Sequence, residues 1–176
     1  MVTTEYPYGE EFPILKIETK LCRAEISLYG AQVLRWAPTG QKPVIYISPK
    51  AVLRKGKALR GGIPLCWPWF GKNTEDASLP SHGVARISTW QVGSCEEGED
   101  GRVRLLLALP PERELMPSGA VAMEIGDELT ISLLTLDVPR TMPFSAAMHT
   151  YFAVSDYEKA AVTGLEECAF TEFADD

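Results

Sequence analysis

The sequence predicts an all-β sandwich, and three observations carry that expectation. Side chains alternate with a period of two rather than 3.6, prolines and glycines fall between the alternating runs, and helix signals are thin. In residues 21–30, Ala24, Ile26 and Leu28 alternate with Arg23, Glu25 and Ser27, which fits a strand with one wet face. Residues 43–48 (PVIYIS) form a short β-branched and aromatic run and read as a second strand. In residues 102–109, Val103, Leu105, Leu107 and Leu109 share one face. Val121, Met123 and Ile125 lead into Gly126-Asp127, and Leu129, Ile131 and Leu133 resume the alternation, which makes a hairpin. Residues 144–154 and 160–173 read as further strands. The one charged stretch of good helix formers, residues 112–116, lies between Pro111 and Pro117 and has room for about one turn.

Length and composition set the outer bounds. The 176 residues make one domain, with 45% apolar residues to build a core and 23% charged residues to keep it wet outside. A net charge of -7 argues against nucleic acid, whose binding needs a basic face. No apolar run approaches the ~20 residues that span a bilayer. The acidic N-terminal stretch MVTTEYPYGEEF is unlike a secretory signal, so a cytoplasmic protein is expected. The four cysteines, Cys22, Cys66, Cys95 and Cys168, show no Cys-x-x-Cys spacing and only two histidines accompany them. They outline no metal site and read as buried small hydrophobes. The last readable strand runs almost to the chain end and would expose a sheet edge, which is the pattern of a piece of a longer β-structure.

Four segments look unlike ordinary strand or turn. In LRGGIPLCWPWFGKN (residues 59–73), paired glycines allow close backbone approach, while Trp67 and Trp69 offer flat faces suited to a sugar. A rigid corner whose tryptophans fill the core is the commoner arrangement for such residues. In PSHGVAR (residues 80–86), His82 and Arg86 have equal parity and, if the segment is extended, share a face suited to a polar or anionic ligand. A surface turn with an incidental histidine is the plain alternative. In AAMHTYF (residues 146–152), His149 lies in an apolar strand, where a satisfied core histidine is the usual case, yet imidazole is also the natural proton-transfer group near neutral pH. Residues 54–60 hold four bases, which fit either a solvated loop or a local patch for a phosphate.

Together, the runs LRGGIPLCWPWFGKN, LPSHGVARISTW and MHTYFAV, preceded by LYGAQVLRW (residues 28–36), resemble the hexose-6-phosphate mutarotases. These are also called glucose-6-phosphate 1-epimerases and form a branch of the aldose 1-epimerase family. The resemblance covers nearly the whole chain and implies a galactose-mutarotase-like antiparallel β-sandwich that interconverts α and β anomers of a hexose 6-phosphate without metal or organic cofactor. Ring opening needs a base at the C1 hydroxyl and an acid at the ring oxygen, and closure on the other face reverses the two steps. By the resemblance, His149 matches the acid, and His82 matches the histidine that hydrogen-bonds and orients the sugar, so the two form the candidate catalytic pair. Arg60 and Arg86 match phosphate-binding positions, and Trp67 and Trp69 stand where the family's loop approaches the sugar. Ser81 stands where the family often has a glutamine, and its shorter side chain is expected to drop one contact or admit a water. The family's catalytic glutamate and a sugar-binding aspartate belong to segments beyond those matched here, and Glu166, Glu167 and Glu172 occupy no matching motif. The chain therefore reads as the N-terminal portion of a mutarotase domain, with a non-catalytic sugar-phosphate binding module, or a fragment that does not fold alone, as alternatives.

Overall fold

A computed structural model describes residues 1–109, 117–138 and 143–170. Two four-stranded antiparallel sheets form the bulk of the molecule. The first holds β1 (Val2–Glu5), β2 (Ile14–Glu18), β3 (Cys22–Ser27) and β4 (Gln32–Pro38) in chain order. After a two-residue strand β5 (Leu65–Cys66), the second sheet holds β6 (Gln91–Glu97), β7 (Val103–Leu109), β8 (Ser118–Ile125) and β9 (Leu129–Leu136), again in chain order. A short β10 (Ala147–Met148) returns to pair antiparallel with β5.

The period-two pattern places the core. On β3, Cys22, Ala24 and Ile26 are buried while Arg23 is exposed. On β7, Val103, Leu105, Leu107 and Leu109 are buried and Arg104 and Leu106 are exposed. These faces meet Leu15, Ile17, Val33, Val121, Met123 and Ile125 in one cluster, so the two sheets are layers of a single sandwich. The indole N–H of Trp36 on β4 donates to the carbonyl of Gly126 at the β8/β9 turn, 3.0 Å away, and ties the layers at one end. A smaller cluster of Ile14, Leu34 and Leu59, with Ile47, Ala51 and Leu53, covers the outer side of the first sheet. Among the described residues no helix is long and apolar enough to cross a membrane.

The hairpin expected around Gly126-Asp127 is β8 and β9, joined by a bend at residues 126–128. The other expectations need correction in detail. Residues 43–48 form no continuous ladder. Their backbone bonds alternate between neighbours: Val44 N–H donates to Trp36 O, Tyr46 N–H to Tyr151 O and Ser48 N–H to Arg60 O. That run is a hub between segments instead of a sheet strand. Only Ala147–Met148 of residues 144–154 is regular strand, because the chain there pairs with a segment broken by Pro64 and Pro68. Residues 160–170 form no strand: Val162, Leu165 and Phe170 are exposed, and a strand whose apolar side chains meet no second layer has nothing to hold it flat. The rest of that expected strand, residues 171–173, and the single helical turn at residues 112–116 lie outside the described residues. Of the cysteines, Cys22 and Cys66 are buried, Cys95 is partly buried and Cys168 is exposed, so the small-hydrophobe role holds for the first two.

The face assignment of β7 predicts unequal costs for neighbouring leucines. Leu107→Ala, at a fully buried site, is expected to cost about 2–5 kcal/mol in urea unfolding. Leu106→Ala, with its side chain 39% exposed, is expected to cost less than about 1 kcal/mol. Equal losses would place the layers on the wrong faces of β7.

Candidate functional site

Three of the four segments singled out in the sequence converge through backbone pairing. Alternate residues of 145–151 face residues 62–68: Ser145 N–H donates to Pro68 O (3.0 Å), His149 N–H to Pro64 O (3.0 Å) and Tyr151 N–H to Gly62 O (2.9 Å), with the β5/β10 pair between them. Ser145 also accepts the Phe70 N–H on its hydroxyl at 3.0 Å. On the other side, the Trp67 carbonyl accepts the N–H groups of Val84 (3.0 Å) and Ala85 (3.1 Å). Residues 61–70 are thus the middle member of a three-segment layer. Gly83 makes the second contact possible: it has φ +75°, and a side chain there would run into the Trp67 carbonyl.

The two histidines and Arg86 come together at this layer. Arg86 follows Gly83 in a 3₁₀ turn over Ala85–Ile87, and its Nη2 donates to Ser81 O at 2.8 Å. The segment is a turn rather than an extended strand, because His82 and Gly83 both have positive φ, so the parity argument for a shared face fails. Proximity comes from the turn instead. Burial is the largest cause that holds the His82 imidazole below its ordinary value, and the nearby Arg86 and His149 add to it. Burial pushes the Cys66 thiol up while Arg86 pulls it partly back, which places the guanidinium near the β5/β10 pair as well.

Each expected site residue has a definite place. His82 is half-buried and packs edge-on against Phe70, with ring centroids 4.9 Å apart. His149 is exposed, contrary to a core role, because its neighbours across the ladder are the backbone of Pro64 and not a second layer of side chains. Its ring lies 4.9 Å from that of Tyr151 at a 33° tilt. Met148, Thr150 and Phe152, on the alternate positions, line an apolar cavity of about 240 Å³ with Trp36 and Ile131, so the segment separates a polar face from an apolar one. Arg60 is exposed, two residues before Gly62, and among the described residues no hydrogen bond or ion pair joins its side chain to the histidine pair.

The tryptophans correct the sequence reading. Trp67 is 1% exposed, belongs to the main core and donates its indole N–H to Thr135 on β9 at 2.9 Å. Trp69 is buried too, its indole N–H bonded to Pro80 O at 3.0 Å. Large apolar rings with a satisfied N–H are stable inside, and here they anchor the loop instead of presenting a face to a sugar. The basic run at residues 54–60 begins with an exposed turn in which Lys57 N–H donates to Arg54 O, and Lys55 lies 3.8 Å from Glu11. Sequence reasoning missed Phe70, Gly71 and Tyr151, which touch the histidines. The alternation that gives Tyr151 the parity of His149 was the available signal.

The aldose 1-epimerase family matches residues 13–174 of this chain. The chain belongs to that family. A protein of Escherichia coli (strain K12) named "Putative glucose-6-phosphate 1-epimerase" is 33% identical over 162 residues, covering 89% of this chain and 53% of that protein. A protein of the same name from Cenchrus ciliaris is 33% identical over 176 residues, covering 91% of this chain and 52% of its own length. The crystal structure of a "putative mutarotase" from Salmonella typhimurium superposes with a TM-score of 0.75 at 30% identity, covering 82% of this chain and 50% of that one. The chain thus spans about half the length of these relatives, and the half it spans carries the antiparallel sandwich fold of the family.

The depressed His82 imidazole links this site to stability. The unfolded chain takes up a proton near the ordinary value of 6.5, before the folded protein does. The contribution of neutral His82 is therefore fully present above that pH and is lost as pH falls through it toward the depressed folded value. Asn tolerates the positive φ at this position. Between about pH 7.5 and 5.5, the wild-type protein should lose more unfolding free energy than His82→Asn, as read by urea titrations at each pH. Parallel losses would show that His82 is not shifted.

Proposed function

We propose that this chain supplies the acid and phosphate-binding part of a site that interconverts the α and β anomers of a hexose 6-phosphate. The observation that carries the reading is the convergence of His82, Arg86 and His149, from two segments far apart in sequence, at one layer of the fold. The relatives named "Putative glucose-6-phosphate 1-epimerase" and "putative mutarotase" carry names of one reaction class, and the first name gives the substrate of this reading.

In this reading His149 is the general acid. Its exposed ring can approach the sugar ring oxygen and protonate it as the C1–O bond opens, while a base removes the C1 hydroxyl proton. Rotation about C1–C2 presents the other face of the aldehyde, and reprotonation in reverse closes the ring. His82 hydrogen-bonds a sugar oxygen. The Arg86 guanidinium, partly oriented by its bond to Ser81 O, meets the phosphate, and Arg60 reaches it from the solvent side. A sugar-phosphate binding module is the second reading. It uses the same histidine and arginine contacts and needs no base.

Two-dimensional exchange NMR between the C1 protons of α- and β-glucose 6-phosphate tests the proposal, with plain glucose as control. Exchange above the uncatalysed rate for the phosphate ester alone is expected, and His149→Ala should lower it by roughly 10²–10⁴-fold. Binding without added exchange would select the binding-module reading. Arg86→Gln should weaken glucose 6-phosphate binding by about tenfold or more in calorimetry while leaving any glucose binding unaltered, since it removes a charge-assisted hydrogen bond. Equal affinity of the wild-type protein for glucose and its phosphate would remove the phosphate from the proposal.

A further inference from the structure

We infer that His82 is preset as a neutral hydrogen-bond donor, with its Nδ1 occupied by the Gly71 amide and its Nε2–H left to meet a ligand oxygen. The inference rests on the hexose-phosphate reading only for the identity of that ligand. His82 and Gly71 form a reciprocal pair: the His82 N–H donates to Gly71 O at 2.7 Å, and the Gly71 N–H donates to His82 Nδ1 at 3.2 Å. A nitrogen that accepts an N–H carries no proton, so the neutral ring must carry its proton on Nε2. Phe70 packs edge-on against the ring from a third direction, at a 70° interplanar angle.

The backbone shows what this arrangement costs. His82 has φ +64°, a left-handed conformation that a non-glycine residue adopts only when its surroundings require it. The two hydrogen bonds with Gly71 and the tight seat of Gly83 against Trp67 supply that requirement.

Protonating the ring would set an Nδ1–H against the Gly71 N–H, two donors facing each other at a hydrogen-bonding distance. The charged groups that act on His82 are Arg86 and His149, both of positive sign when charged, and they oppose a second proton as well. His82 therefore cannot cycle through imidazolium without giving up the Gly71 bond, and the two histidines divide their work. His82 donates a fixed hydrogen bond, and proton transfer falls to His149. Gly71 and Phe70 act as positioning residues for the His82 ring.

Long-range ¹H–¹⁵N correlation spectra of the uniformly ¹⁵N-labelled 176-residue chain report the tautomer directly. With two histidines in the sequence, the His82 signals are assigned by their loss in His82→Asn. At neutral pH the expected pattern is an unprotonated Nδ1 and a protonated Nε2, and added glucose 6-phosphate should shift the Nε2 signal. A protonated Nδ1, an imidazolium at neutral pH, or a ligand shift confined to Nδ1 would overturn the inference. The expected tautomer with no shift on addition of glucose 6-phosphate, inorganic phosphate or glucose would support the preset ring and sink the hexose-phosphate reading. His82→Phe, which keeps a ring without the donor, should lose about tenfold in glucose 6-phosphate affinity, and unchanged affinity would count against the donor role.

Discussion

Backbone pairing between residues 145–151 and residues 62–68 is the constraint on which the functional half of the molecule depends. Each bond is worth only about 0.5–1.5 kcal/mol by itself. Their regular spacing is what matters, because it sets His149 opposite Pro64 and Tyr151 opposite Gly62 over a sequence separation of more than eighty residues. The middle segment is in turn held from below. Trp67 lies in the core and reaches β9 through its indole N–H, so a small displacement of this segment would break a part-buried hydrogen bond as well as the ladder.

The proline and glycine content of residues 59–73 follows from this arrangement. A regular strand would use its N–H groups on both sides and lie flat in a sheet. Pro64 and Pro68 donate nothing, and their carbonyls accept from His149 and Ser145. Gly61 and Gly62 have positive φ and come close to residues 46–47 and to Val33, where a Cβ would collide with backbone. The segment is irregular because it touches three neighbours at once, and those contacts bring the histidines and Arg86 to one place.

Much of the scaffold was legible in the sequence, for a physical reason. β3, β7 and β8 each have one buried face and β9 one half-buried face, so a period of two appears directly in the residue types. β1, β2, β4 and β6 were missed or read only as part of a motif. β2 and β4 are buried on both faces over part of their length, which removes the alternation, and β1 and β6 are largely exposed. The strand expected at residues 160–173 shows the opposite error: apolar residues at suitable spacing do not make a strand when no second layer meets them, as far as the described residues go.

The candidate site divides in the same way. Chemistry-bearing residue types in unusual local settings, such as His82 between Ser81 and Gly83 or His149 before Thr150 and Tyr151, are properties of the chain itself and could be picked out from it. Membership of the family was likewise carried by those motifs. Which ring faces the interior was not. A tryptophan between prolines reads equally as an anchor or as a sugar platform, and only the packing of Trp67 against the core and its bond to Thr135 separates the two. The tautomer of His82 is the extreme case. It depends on one amide eleven residues away in a turn with positive φ, and no pattern of residue types encodes where that N–H points. Local periodicity and side-chain chemistry are written in the chain, whereas orientation, burial and the partner of each polar atom exist only once distant segments have met.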